Sequence, residues 1–208
     1  MNEIVHEQLK KIKRSFRLRM DGMISQSMRN KGLEYKINWG IPFYELKTMA
    51  KEYGKDYELA IELWKEDIRE CKILATLIMP AERMDTDLID VWMEGAISQE
   101  MAEMLAFNLY QYMEQAPVLA YKWMASHSPS LQVCAFQLIA RLFMKGQEPN
   151  ERGINEYLDQ VSVALSSDHI AVRHAAGSSL QKFADLGDEY RQLVENYLKS
   201  QNLDVHIS

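Results

Sequence analysis

The chain has 208 residues, 47% of them hydrophobic and 26% charged, with a formal net charge of −6. Those proportions fit one soluble folded domain, or two small ones, with a sizeable core, and the acidic balance argues against a strongly basic nucleic-acid binder. No apolar run approaches the roughly 18 residues that span a bilayer, which argues against membrane insertion.

The N-terminus, MNEIVHEQLKK, has neither an apolar stretch nor a small-residue cleavage site, so a secretory signal is not expected. The two cysteines, Cys71 and Cys134, sit singly inside apolar helical patterns and read as buried, reduced thiols, which fits a cytoplasmic location. Charge is unevenly spread. Residues 1–31 carry Lys10, Lys11, Lys13, Arg14, Arg17, Arg19, Arg29 and Lys31 against Glu3, Glu7 and Asp21. This basic N-terminal helical segment on an acidic body either steers phosphates to one region or is simply a solvated helix face.

In the first predicted helix Val5, Leu9, Ile12, Phe16 and Met20 recur at spacings of three and four. Gly32 and the stretch Asn38-Trp39-Gly40-Ile41-Pro42 interrupt the pattern, and Pro42 suits a first helical turn. Phe43, Leu46, Met49, Ala50 and Tyr53 then line one face up to Gly54. Tyr57, Ala60, Ile61 and Trp64 form the next stripe, and Ile68, Cys71, Ala75 and Ile78 another, which Pro80 ends.

After the stretch MDTDLIDVWMEG, Met84 to Gly95, a helix runs from Met101 to Tyr112; a second starts at Pro117 and a third at Pro129. The loop Gly146-Gln147-Glu148-Pro149-Asn150 precedes helices around Ile154–Leu165, Ile170–Phe183 and Tyr190–Lys199. No segment alternates with period two, so the chain reads as all-α. Helices of about 10–16 residues joined by brief Gly/Pro breaks resemble stacked helical hairpins, with an irregular bundle the alternative.

Metal and nucleophile motifs are missing. His169 and His174 are five apart, His127 has no acidic partner at useful spacing, and H-E-x-x-H, paired C-x-x-C and Gly-rich phosphate loops do not occur. Ser126-His127-Ser128 is an adjacency, unlike a catalytic triad. No cofactor is implied. Within MDTDLIDVWMEG, Asp85 or Thr86 is a credible N-cap and Asp87 lies in the first turn, where the helix dipole favours anions. Leu88, Ile89, Trp92, Met93 and Ala96 mark the buried side, so Asp90 falls on the opposite face with Asp87 and Glu94. On helical grounds that stripe is a solvated acidic face.

Four segments, in order, resemble the AlkD-like DNA alkylation repair family of HEAT-like repeat DNA glycosylases. Trp39-Gly40-Ile41-Pro42-Phe43-Tyr44-Glu45-Leu46 through Met49-Ala50-Lys51-Glu52 is similar to the family's opening. Glu62-Leu63-Trp64 with Arg69-Glu70-Cys71-Lys72-Ile73-Leu74-Ala75 resembles its next segment. Asp85-Thr86-Asp87-Leu88-Ile89-Asp90 falls where the family has N-W-D-x-V-D, and Ile170-Ala171-Val172-Arg173-His174-Ala175-Ala176-Gly177 resembles a later helix.

The resemblance implies a single helical-repeat domain over residues 1–208, a curved solenoid of antiparallel helix pairs with its repeats over 35–200. It also implies hydrolysis of the N-glycosidic bond of cationic alkylated purines, without the base flipping usual in glycosylases. Asp90 matches the catalytic carboxylate, which would stabilise the positive charge that builds on the sugar. Arg173, His174 and Lys182 would contact DNA phosphates. Three cleft positions depart from the pattern: Thr86 and Ser178 replace tryptophans, and Val133 stands where an arginine is expected. Two further readings therefore stand beside the glycosylase: a non-catalytic binder of duplex or structured DNA, and a helical-repeat scaffold for protein partners.

Overall fold

The computed structural model describes residues 2–96 and 98–201, and every regular element among them is helical. They divide into two compact units, Met1–Met104 and Leu105–Ser208. The first contains α1 (Glu3–Arg19), α2 (Gly22–Asn30), α3 (Phe43–Tyr53), α4 (Tyr57–Lys65), α5 (Arg69–Ile78) and α6 (Thr86–Glu94). Helix α7 (Gln99–Asn108) follows. The second unit contains α8 (Ala116–Met124), α9 (Pro129–Met144), α10 (Glu151–Leu165), α11 (Ile170–Ala184) and α12 (Asp188–Ser200).

Helix starts are written in short polar side chains. Asn2, Asp21, Asp56, Asp85 and Asn150 each accept a hydrogen bond from a first-turn amide, satisfying a donor that has no partner inside the helix. Asp21 divides the basic N-terminal segment in two. It caps α2 through the amides of Met23 and Ile24 at 2.9 and 3.0 Å. The chain therefore leaves α1 at Arg19, and Met20, expected to extend the apolar stripe, is largely exposed. Val5, Leu9, Ile12 and Phe16 are buried as the spacing predicts. The helix expected to reach Tyr112 ends at Asn108 and gives way to a 3-10 turn at Tyr110–Tyr112.

In the first unit α4 packs on α5, α5 on α3, and α4 on α1. In the second, α9 packs on α8 and α11, and α11 on α10 and α12. The packed neighbours α4/α5, α8/α9 and α10/α11 are joined by three, four and four residues, which makes each an antiparallel hairpin. Aromatic contacts hold the second core together: Phe143, Tyr157 and Phe183 meet one another at centroid distances of 5.1–5.2 Å. Tyr157 also shares a 2.8 Å hydrogen bond with Ser179 in the same interior.

Helix α5 is buried almost all round, including two of its three charged residues, Arg69 and Glu70. Their partners are on the chain segment before α3 and, for Arg69, at Glu100 of α7. The Glu70 carboxylate accepts from the amides of Trp39 and Ile41 at 3.2 and 3.3 Å, and from Arg69 at 3.1 Å. Arg69 also makes a two-pronged contact with Glu100, at 2.9 and 2.6 Å, and donates to the Ile41 carbonyl. Tyr35 completes the group, donating to Glu100 at 2.6 Å. Burial and the Glu100 charge push the Tyr35 phenol far above its ordinary range.

This network clamps the 35–41 segment onto α5. Gly40 secures its other side. It has φ 70°, and a Cβ there would strike the Asp21 carbonyl. The Asp21 amide donates back to the Trp39 carbonyl at 2.9 Å.

Candidate functional site

Helix α6 is oriented by its apolar side. Ile89, Trp92 and Met93 are buried, and the Trp92 indole lies on Trp64 of α4. The ring centroids are 4.3 Å apart and the planes 5° from parallel. The far side of Trp64 is held as well: Lys72 sits 4.6 Å over its ring and donates to its carbonyl at 2.8 Å. Gly95 passes so close to the same indole that a Cβ would sit 3.1 Å from it.

With that side committed to the core, Asp87, Asp90 and Glu94 are exposed. Asp85 is the N-cap, accepting from the Leu88 amide at 2.8 Å, so Thr86 is the first helical residue rather than the cap. Asp90 makes no hydrogen bond or ion pair with any described residue. The nearest preceding cation in sequence, Arg83, stacks its guanidinium 3.7 Å over the Tyr57 ring. What α6 presents is a carboxylate with no cation to neutralise it. A carboxylate in water stabilises nearby positive charge weakly; the same group desolvated beneath a bound cationic nucleoside does so strongly.

The aromatic partners of such a site are absent from α6. Thr86 is exposed, and Trp92, two residues beyond Asp90, is turned into the core.

In the second unit Val133 is 2% exposed, an ordinary core residue of α9, so no phosphate contact comes from that position. Ser178 is exposed on α11, beside Gly177, which faces open space. Three expected DNA contacts share α11, but they do not all lie on one face. Arg173 and Lys182 are nine residues apart, roughly 180° around the helix axis. Arg173 is half-buried and donates to the Ser167 carbonyl. Lys182 pairs with Asp185 at 2.9 Å. His174 is exposed.

Pattern reading missed the Arg69–Glu70–Glu100 network. Arg69 and Glu70 fall between the stripe positions Ile68 and Cys71, where a charge reads as solvent-facing, so no local signal announced their burial. Among the described residues no group of three His, Cys, Asp or Glu side chains is arranged to hold a metal ion. The thiols of Cys71 and Cys134 are buried and pushed well above the ordinary range by desolvation, so neither is a ready nucleophile.

The family model described as DNA alkylation repair enzyme matches residues 12–206. A solved structure described as "A new family of proteins related to the HEAT-like repeat DNA glycosylases with affinity for branched DNA structures" superposes with a TM-score of 0.82. The two share 18% identity over 92% of this chain and 82% of that one. At that identity the likeness shows a common HEAT-like helical-repeat fold. No curated protein matches significantly. No helix among the described residues is long and apolar enough to cross a membrane.

Proposed function

The chain belongs to the DNA alkylation repair enzyme family, and from that premise we propose that it is a DNA-binding repair protein with Asp90 as its one candidate for base excision. The observation that carries the excision reading is the Asp90 carboxylate itself, exposed one turn inside α6 and free of any compensating cation. In N-glycosidic hydrolysis the C1′–N bond breaks with its electron pair going to the base, and water supplies the new C1′–O bond. A cationic alkylated purine leaves as a neutral base, so little proton donation is needed. The carboxylate's role is to stabilise the positive charge on the sugar as the bond stretches.

A second reading, binding without excision, rests on a different observation. With Thr86 exposed and Trp92 buried against Trp64, α6 offers no aromatic surface beside Asp90 to hold a damaged base. Base–aromatic stacking is worth roughly 1–3 kcal/mol per base. The structural relative is described as having affinity for branched DNA, and a branched substrate is the form to try first here.

The experiment is release of 7-methylguanine from alkylated duplex DNA by wild type and Asp90→Asn, run beside mobility shifts on linear and four-way branched DNA. Release by wild type alone supports excision at Asp90. Salt-sensitive shifts without release support the binding reading. Neither release nor shift rejects both.

A further inference from the structure

Helix α1, the segment around Trp39 and the α4–α5 connection surround a groove of about 610 Å³ in the first unit. Five cations line it, Lys13, Arg14, Arg17, Lys36 and Lys65, against only two carboxylates, Glu66 and Asp67. In a chain of net charge −6 this is a local reversal of sign.

The lysines are already compensated. Lys13 is 2.8 Å from Glu66, Lys36 is 3.2 Å from Asp67, and Lys65 is 2.6 Å from Glu62. Arg14 and Arg17 are not. Both are exposed, they lie one turn apart on the same side of α1, and neither makes an ion pair or hydrogen bond with any described residue. The groove therefore presents two free guanidinium forks, the groups best shaped for phosphate oxygens. Trp39 lines the same groove and is half-buried, whereas Trp64, Trp92 and Trp123 are only 5%, 1% and 3% exposed. The clamp on Glu70 and the contact with Asp21 hold the Trp39 backbone in place without engaging the indole face.

Free arginines beside an indole carried on a clamped backbone satisfy the two requirements for holding a nucleotide in a strand: charge for the backbone and a flat apolar surface for the base. A paired base keeps its faces inside the stack, so only an unpaired one reaches the indole. We propose that this groove binds an unpaired stretch of DNA strand, with Arg14 and Arg17 on neighbouring phosphates and Trp39 against a base. The proposal rests on the reading that the chain acts on DNA, and it concerns a surface to which α6 contributes no lining residue.

The test is fluorescence anisotropy of a labelled ten-residue oligothymidylate across a salt series, with intrinsic tryptophan emission followed in parallel. Wild type is expected to bind with a salt-dependent affinity and with quenching of its emission. Arg14→Gln/Arg17→Gln, both at exposed positions, should weaken binding at least about tenfold. It should also flatten the log–log salt slope by about 1.4, the value for two single-strand phosphates. Trp39→Phe should abolish the quenching and retain the wild-type salt slope.

Equal affinity and slope in the double arginine variant would overturn the assignment. So would competition by free thymidine diphosphate as effective as that by the oligonucleotide, because the groove would then take nucleotides rather than a strand. A wild type that shifts branched or linear duplex but ignores the oligonucleotide removes the groove proposal and leaves the proposed function standing. One that binds no DNA in any form removes both.

Discussion

Trp92 lies flat on Trp64, 4.3 Å between ring centroids and 5° between planes, and this stack decides which side of α6 meets solvent. Both rings are almost fully buried, so the contact combines a large apolar burial with an offset-stacking geometry. Trp92→Ala is expected to cost about 3–5 kcal/mol, because truncating a fully buried indole removes its contacts and opens a cavity. Urea unfolding measures it, and a loss under about 1 kcal/mol would mean that α6 is held by other contacts.

Two aspartates of α6 have separable roles. Asp85→Ala should cost about 1 kcal/mol by leaving the Leu88 amide without its cap, and should leave any base release close to wild type. Asp90→Asn should leave stability within about 0.5 kcal/mol, since the side chain is exposed and unpartnered, while removing release. Thermal melts paired with release assays on both variants test this. Release that follows Asp85 instead of Asp90 would invert the assignment.

Glu70 is the most demanding polar residue in the first core. It is fully buried and satisfies two backbone amides and Arg69 together. Glu70→Ala strands both amides and one guanidinium edge, and is expected to cost about 3–5 kcal/mol. Hydrogen exchange should show the Trp39 and Ile41 amides losing protection before those of α5. Uniform loss across the unit would argue that the network is not a local clamp.

Gly40→Ala tests the other side of that clamp. The residue has φ 70°, and a methyl group there meets the Asp21 carbonyl and the Ser25 amide, both backbone atoms that cannot swing aside. Positive φ alone costs an alanine about 1 kcal/mol or more, and the collision adds to it. A melting temperature unchanged from wild type would show that the α1–α2 corner can move away from Trp39.

Tyr121 carries a pH dependence. Burial, and then the charge of Glu156, push its phenol from 10.0 up to about 12, and it donates to the Gly153 carbonyl at 3.0 Å. A raised folded-state value means that the neutral phenol is the form the fold prefers. Its contribution is therefore complete below about pH 10 and is lost as pH rises through about 12. Tyr121→Phe should be about 1 kcal/mol less stable at neutral pH, with the gap closing at alkaline pH. Denaturant midpoints of the two proteins at about pH 8 and about pH 11.5 check it. A gap that stays constant would mean that folding does not raise the Tyr121 pKa.

Several particulars of the site were legible in the residues. Of the expected apolar set, Ile89, Trp92, Met93 and Ala96 are buried and Leu88 is half-buried, while Asp87, Asp90 and Glu94 are exposed, because one helix has one periodicity and six or seven residues suffice to read it. Spacing also places Arg173 and Lys182 on opposite sides of α11, so their failure to converge follows from the count of residues between them. Burial of Glu70 was not legible in the same way, since its partners are the amides of Trp39 and Ile41, some thirty residues away. Met20 failed for a local reason: Asp21 competes for the chain as the cap of the next helix.

By itself, then, the sequence determined the all-helical class, the helix stop at Gly54 and the acidic outer face of α6. These are short-range consequences of backbone hydrogen bonding and helical period, which act within about four residues. The tertiary structure alone decided that Trp92 is spent on Trp64, that Arg69 and Glu70 are buried, and that Arg14, Arg17, Lys36, Trp39 and Lys65 share one groove. Those outcomes depend on which segments pack together. Packing is settled by the summed burial and charge of the whole unit, which no local window contains.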